Sequence, residues 1–259
     1  GERLVRAVGE GEVPIADIDG SALRIVRTLL AFARERDPQE YPRSLIACDE
    51  HVALSREVAL KSMTLLKNSG GVLPFSKERV RRLAVLGRLA DIENTGDYGS
   101  SRVFPPRYVT PRAGFEALLP GCEILGSGEY DPSACAEIAR SADAAVVVVG
   151  LTHDDEGEYI DDLSLGGAKM GGDRKRSLGL RPADIELVRA VCAANPNAAV
   201  VLVGGSMIMV EEWKSIAPAI LMAYYPGMEG GTAIARTLFG ESNPGGKLPF
   251  AVPARESGR

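Results

Sequence analysis

The chain has 259 residues, 45% apolar and 25% charged, enough to bury a sizeable core as one large domain or two smaller ones. Its 30 Lys and Arg and 35 Asp and Glu are intermixed and sum to a net charge of −5, which argues against nucleic acid or anionic lipid as a partner. The longest apolar runs fall far short of the ~20 residues of a membrane span.

In chain order, residues 1–36 carry apolar residues at helical spacing, Leu4-Val5-Val8 and Leu23-Ile25-Val26-Leu29-Leu30-Phe32, and predict a helical hairpin. They are charged at the start and hold no apolar signal-peptide core, which leaves a secreted and a cytoplasmic location both open. Residues 37–50, with two prolines amid charge, read as a linker, and 51–259 as the second packing unit. "HVALSREVALKSMTLLKNSGG" predicts one amphipathic helix that runs to the turn at Asn68 to Gly71.

Five short apolar strands then follow: Arg81 to Gly87, Cys122 to Gly126, Ala144 to Leu151, Ala198 to Gly205 and Ala219 to Tyr225. Helices are predicted at Pro111 to Leu119, Pro132 to Ser141, Pro182 to Ala194 and Gly230 to Phe239. Strands apolar along their whole length, alternating with helices, imply an α/β fold with a mostly parallel sheet covered on both faces. Ligands in such sheets gather beyond the carboxyl ends of the strands.

Cys48, Cys122, Cys135 and Cys192 lie far apart with no CxxC spacing, and only His51 and His153 are available to join them. No zinc cluster is expected, and no cofactor or metal. "GESNPGGK" at Gly240 has the wrong glycine spacing for a phosphate loop, and "GGSMI" at Gly204 lacks the second glycine of a nucleophile elbow.

Beyond the third predicted strand lies "HDDEGEYIDD", His153 to Asp162. Three readings stand open for it. A charge run is ordinarily a solvated loop. The hard oxygen donors Asp154, Asp155, Glu156, Glu158 and Asp161 also suit calcium, although the alternation of an EF-hand loop is missing. Crowded carboxylates, finally, raise one another's pKa, which suits a general acid.

Several linked segments carry a resemblance. "VALKSMTLLKNSGGVLPF", "RRLAVLG", "GSSRVFPP", "VVVVGL" followed by "DEGE", "GDRKRSLGLRPADIELVRAVCAANPNAAVVLVGGS" and "MAYYPGMEGGTAIARTLFGESNPGGKLPFAVP" follow the order and spacing of the second, α/β sandwich domain of glycoside hydrolase family 3, the β-glucosidase family. Residues 1–36 resemble the closing helices of that family's TIM-like barrel.

The resemblance implies a retaining β-glycosidase acting on β-glucoside-like substrates: a barrel aspartate attacks, and a glutamate from this domain protonates the leaving oxygen. Carried onto this chain that glutamate is Glu156, with Glu158 as the alternative because "EGE" allows either register. Repulsion from Asp154 and Asp155 would keep Glu156 protonated. Ser100, Ser101 and Arg102 are expected at the substrate entrance, or else in a plain turn. Relative to the family, "YIDDLSLGGAKMGG" at Tyr159 to Gly172 is extra, and is expected to make the acid/base loop a mobile lid.

Set against the family, the barrel with its nucleophile aspartate is expected to be missing from these 259 residues, apart from its closing helices. The chain is expected to be a portion that works beside a barrel-containing remainder and hydrolyses little alone. The competing class is a non-catalytic structural or ligand-binding partner of the same fold. Trp213, the single tryptophan, is expected in the core, and Glu229 is expected to satisfy first-turn amides of the last helix.

Overall fold

The computed structural model describes residues 1–33, 41–96, 98–126, 128–159, 174 and 177–256. They form two compact units, Gly1–Ile46 and Ala47–Arg259. The first contains α1 (Glu2–Gly9) and α2 (Ile15–Phe32), whose Val5, Ile25, Leu29, Leu30 and Phe32 are all exposed.

The second unit is built on a six-stranded sheet of order β1-β6-β5-β4-β2-β3. Its strands are β1 (Thr64–Asn68), β2 (Arg82–Leu86), β3 (Glu123–Leu125), β4 (Ala144–Gly150), β5 (Ala198–Val203) and β6 (Ala219–Tyr224). All neighbours pair in parallel except β1 on β6. Every residue of β4 and β5 is buried, because both faces are covered.

Successive residues feed opposite layers. Val85, Val146, Val148, Val201 and Leu221 point into a core closed by α3 (Asp49–Ser62), α4 (Pro111–Leu118) and α8 (Gly230–Leu238). Leu86, Val147, Val149, Val200 and Leu202 point into a second core under α5 (Pro132–Ser141) and α7 (Pro182–Ala194). Trp213 is fully buried in that second core, where the sequence had it. The helix starts are set locally: Thr110 and Asp131 cap α4 and α5 through their side chains, and proline opens α4, α5 and α7.

The expected long helix across 51–68 is corrected. It stops at Ser62, and Thr64–Asn68 is an antiparallel edge strand on β6 with a register shift between Leu65 and Lys67. The helix propensity of "TLLK" loses to backbone pairing with a strand some 150 residues away.

Strand order fixes where a ligand would bind. From β2 the chain crosses to β3 on one side, whereas from β4 it proceeds to β5 and β6 on the other. The crevice of this doubly wound sheet therefore opens between the carboxyl ends of β2 and β4. The β2 loop carries Ser100, and the β4 loop carries the acidic run.

Candidate active site

β4 ends at Gly150, in a conformation (φ 141°) where a Cβ would meet the Val203 carbonyl oxygen at 1.9 Å. Glycine alone fits. Leu151 N–H continues the pairing to Val203 O at 2.8 Å, and the buried Asn94 side chain donates to Leu151 O at 2.8 Å. The chain then turns through a single helical turn, α6 (His153–Glu156).

The acidic residues fan out from that turn. Asp155 folds back to accept from Thr152 N–H at 3.0 Å and pairs with Arg181 at 2.7 Å and Arg88 at 3.5 Å. Burial raises its pKa, but the Arg181 and Thr152 hydrogen bonds and the two guanidinium charges outweigh that and hold it below the ordinary carboxylate value. Arg88 also donates to Gly150 O at 2.5 Å and faces the buried Asp184 at 3.7 Å. Burial pushes Asp184 up, against the charges of Arg88 and Arg181.

Glu156 turns inward. Its Oε1 accepts from Gly205 N–H at 2.6 Å and the Tyr225 hydroxyl at 2.7 Å, and its Oε2 from Ser206 N–H at 3.2 Å and the Ser206 hydroxyl. Arg174 Nη1 stands 4.0 Å away, and the Glu156 side chain is only 8% exposed. Burial, with the hydrogen bond to Glu156, raises the Tyr225 phenol well above its usual range. The Tyr225 ring lies against Gly96 and Gly205, where added Cβ atoms would come within 3.1 and 3.0 Å of it. It is aimed there by Tyr224, whose φ of 57° breaks the strand just before it.

Glu158 turns outward. It is exposed and accepts a hydrogen bond from Ser100 N–H at 2.8 Å. Ser100, Ser101 and Arg102 share a turn closed by Arg102 N–H on Gly99 O at 3.1 Å. The structure thus brings Ser100 to Glu158, across the β2/β4 crevice. Tyr98 and His153 join the same two loops, their rings stacked at 3.8 Å.

Each of the crowded carboxylates has its own partner: Asp154 is 3.2 Å from His153, Asp155 is held by two arginines, and Glu156 is held by donors. One expectation is corrected by this geometry. Glu229 is the residue before α8 but caps no amide; it is buried against Arg56 at 3.3 Å and Arg107 at 3.5 Å. The expected lid at Tyr159 to Gly172 and the donor Asp161 lie outside the described residues, apart from Tyr159. Sequence reasoning gave no role to Tyr98, Arg88, Ser206 or Tyr225. The signal available was positional, since Arg88, Ser206 and Tyr225 each follow closely on the carboxyl end of a strand.

A model of the glycosyl hydrolase family 3 C-terminal domain matches residues 63–258. A β-xylosidase of Formosa agariphila is 32% identical over 79% of this chain and 28% of its own length. A probable β-D-xylosidase of Arabidopsis thaliana is 32% identical over 94% of the chain and 32% of its own length. A β-glucosidase of Bacteroides ovatus is 27% identical over 98% of the chain and 35% of its own. The chain thus spans about a third of these curated relatives.

Among solved structures, a family 3 β-glucosidase of Neurospora crassa superposes with a TM-score of 0.68 at 27% identity, over 86% of this chain and 28% of that one. A β-D-glucoside glucohydrolase of Trichoderma reesei gives 0.71 at 24% identity, over 98% and 38%, which supports the fold. With the family model covering the whole sheet and both loops of the crevice, this chain belongs to glycoside hydrolase family 3.

Proposed function

We propose that the chain is part of a retaining β-glycosidase acting on terminal β-linked sugars, that Glu158 is its general acid/base, and that Glu156 is a buried strut beneath it. The observation that carries this reading is the opposite surroundings of the two glutamates. Four hydrogen-bond donors occupy both oxygens of Glu156, a guanidinium stands 4.0 Å away and the side chain is only 8% exposed, which suits an anchor rather than a group that meets substrate. Glu158 reaches out of the crevice at the ligand-binding edge of the sheet.

As an acid, Glu158 would pass its proton to the glycosidic oxygen while an aspartate of the barrel attacks the anomeric carbon. As a base, it would take a proton from the water that hydrolyses the glycosyl-enzyme. Ser100 N–H steadies the carboxylate formed after the first transfer. The barrel-borne nucleophile makes the remainder of the protein an obligatory partner, and the exposed apolar faces of α1 and α2 fit segments that pack elsewhere in a longer chain. The names of the relatives, β-xylosidases and β-glucosidases, set the substrate class to assay.

The test uses the full-length protein and glycosides of graded leaving groups. Glu158→Gln should keep 2,4-dinitrophenyl glycosides within about tenfold and lose alkyl glycosides by about 10²–10⁴, with the alkaline limb of the pH–rate profile abolished. The same signature in Glu156→Gln, with Glu158→Gln unaffected, refutes the reading and returns the role to Glu156.

A further inference from the structure

We propose that Arg102 is a specificity element that receives a carboxylate carried on the leaving-group side of the substrate; this rests on the reading of Glu158 as the acid. Three observations carry it. The Arg102 guanidinium lies over two rings, 4.6 Å from the Tyr98 centroid and 4.5 Å from that of Phe104. Two ring contacts hold the guanidinium in place by its charge and consume none of its N–H groups, which remain for a ligand. Among the described residues those N–H groups meet no acceptor, whereas Arg88, Arg112, Arg174 and Arg181 around the same strand ends each bond a carboxylate or carbonyl.

Position supplies the second argument. Arg102 is two residues from Ser100, whose N–H holds Glu158 at 2.8 Å. A general acid faces the glycosidic oxygen, so atoms beyond that oxygen leave past the loop that touches the acid. Tyr98, stacked on His153 at 3.8 Å, ties this loop to the acidic one, so the guanidinium is fixed relative to Glu158.

The third argument is one of cost. An arginine already in contact with two rings, in a turn closed on Gly99, gives up little further rotamer freedom on binding. A planar fork with open edges matches a carboxylate in bidentate fashion. Phe104, 74% exposed beside it, leaves the approach open and offers a ring to the body of the aglycone. The ligand class that fits is an aglycone bearing both a flat or apolar body and a carboxylate, such as an aryl carboxylate or a uronate-bearing sugar.

The experiment compares 4-carboxyphenyl with 4-carbamoylphenyl β-glucosides and β-xylosides on the full-length protein, read as the ratio of their kcat/KM values. A ratio is insensitive to general damage. Arg102→Gln should lower the carboxylate-to-amide ratio about tenfold, the scale of one charge-assisted contact at a solvent-open site, and Arg102→Lys by less. In the unsubstituted protein the ratio should fall as NaCl rises from low concentration to about 0.5 M. A ratio unmoved by Arg102→Gln overturns the carboxylate site and leaves the glycosidase reading intact. Turnover of neither glycoside overturns the glycosidase reading and the inference with it.

Discussion

Replacing Glu156 with glutamine tests the strut directly, since the side chain keeps its size and loses its charge. In the native protein all four contacts to the carboxylate are donors: two backbone N–H groups, of Gly205 and Ser206, and the hydroxyls of Ser206 and Tyr225. An amide offers one accepting oxygen, so its NH2 must face either the Gly205 N–H and the Tyr225 hydroxyl or both groups of Ser206. The hydroxyls can rotate away; a backbone N–H cannot. One N–H is therefore stranded at about 1–3 kcal/mol, and the remaining bonds lose their charge assistance. Together the loss is about 3–5 kcal/mol, the range found when one partner of a buried charged network is removed. For a unit of this size that lowers the melting temperature by on the order of 10 °C. Thermal and urea unfolding of Glu156→Gln beside Glu158→Gln reads it, the exposed Glu158 substitution changing stability by no more than about 0.5 kcal/mol. A Glu156→Gln protein that melts within about 2 °C of the native one refutes the strut.

Two carboxylates joined by Arg88 should respond to pH with opposite signs. Asp155 is depressed in the fold, so its stabilisation is present above its ordinary value of 3.8 and is lost as pH falls through the folded value. Asp155→Asn should be less stable than the native protein at pH 7, with the gap closing in acid. Asp184 is raised, so its contribution is lost as pH rises through the folded value; Asp184→Asn should match or exceed native stability at pH 7. Urea unfolding at pH 3 to 7 measures both, and gaps of the same sign overturn the network. At the α4–α8 contact, a Cβ on Gly114 would lie 2.1 Å from Gly231 O and one on Gly231 would lie 1.9 Å from Thr110 O. Either alanine substitution should cost about 3 kcal/mol because backbone, not a side chain, must move, and melting temperatures close to native would contradict the packing.

The sheet was legible because a parallel sheet covered on both faces demands unbroken apolar strands, and "AAVVVVGL" or "AAVVLVGG" satisfies little else between capped, proline-initiated helices. β1 was not, since "TLLKN" alternates too weakly to outweigh the helix before it and becomes a strand only on meeting β6. The acidic loop was legible as a location and illegible as a set of roles. "EGE" presents two glutamates that differ by nothing local. What separates them comes from far along the chain: Gly205 lies 49 residues from Glu156, and Tyr225 lies 69. Periodicity and motif spacing carry no record of such contacts, which exist only once β4, β5 and β6 lie side by side. The repulsion argument counted carboxylates in sequence, whereas Asp155 and Glu156 stand beside Arg181, Arg88 and Arg174, brought in by the fold.

The crowding at the end of β4 then has a physical logic that one carboxylate could not satisfy. A group that must protonate a leaving oxygen has to alternate between charge states, so it must stand where neither state is strongly held. A loop that must keep that group within the ~5–5.5 Å reach of a nucleophile needs anchors fastened from several sides. One residue cannot do both. Asp155 and Glu156 are anchors of this kind, the first fastened by two arginines and the second by donors at the ends of β5 and β6. Glu158, two residues on, is exposed and accepts a hydrogen bond from the Ser100 N–H across the crevice. Anchors and acid must be near neighbours in sequence, because a slack of even a few residues would let the acid wander by more than the tolerance of the chemistry. A dense acidic run is the shortest chain that supplies anchored carboxylates and an exposed one together, which makes the proposed division of roles between Glu156 and Glu158 a consequence of reach rather than of motif.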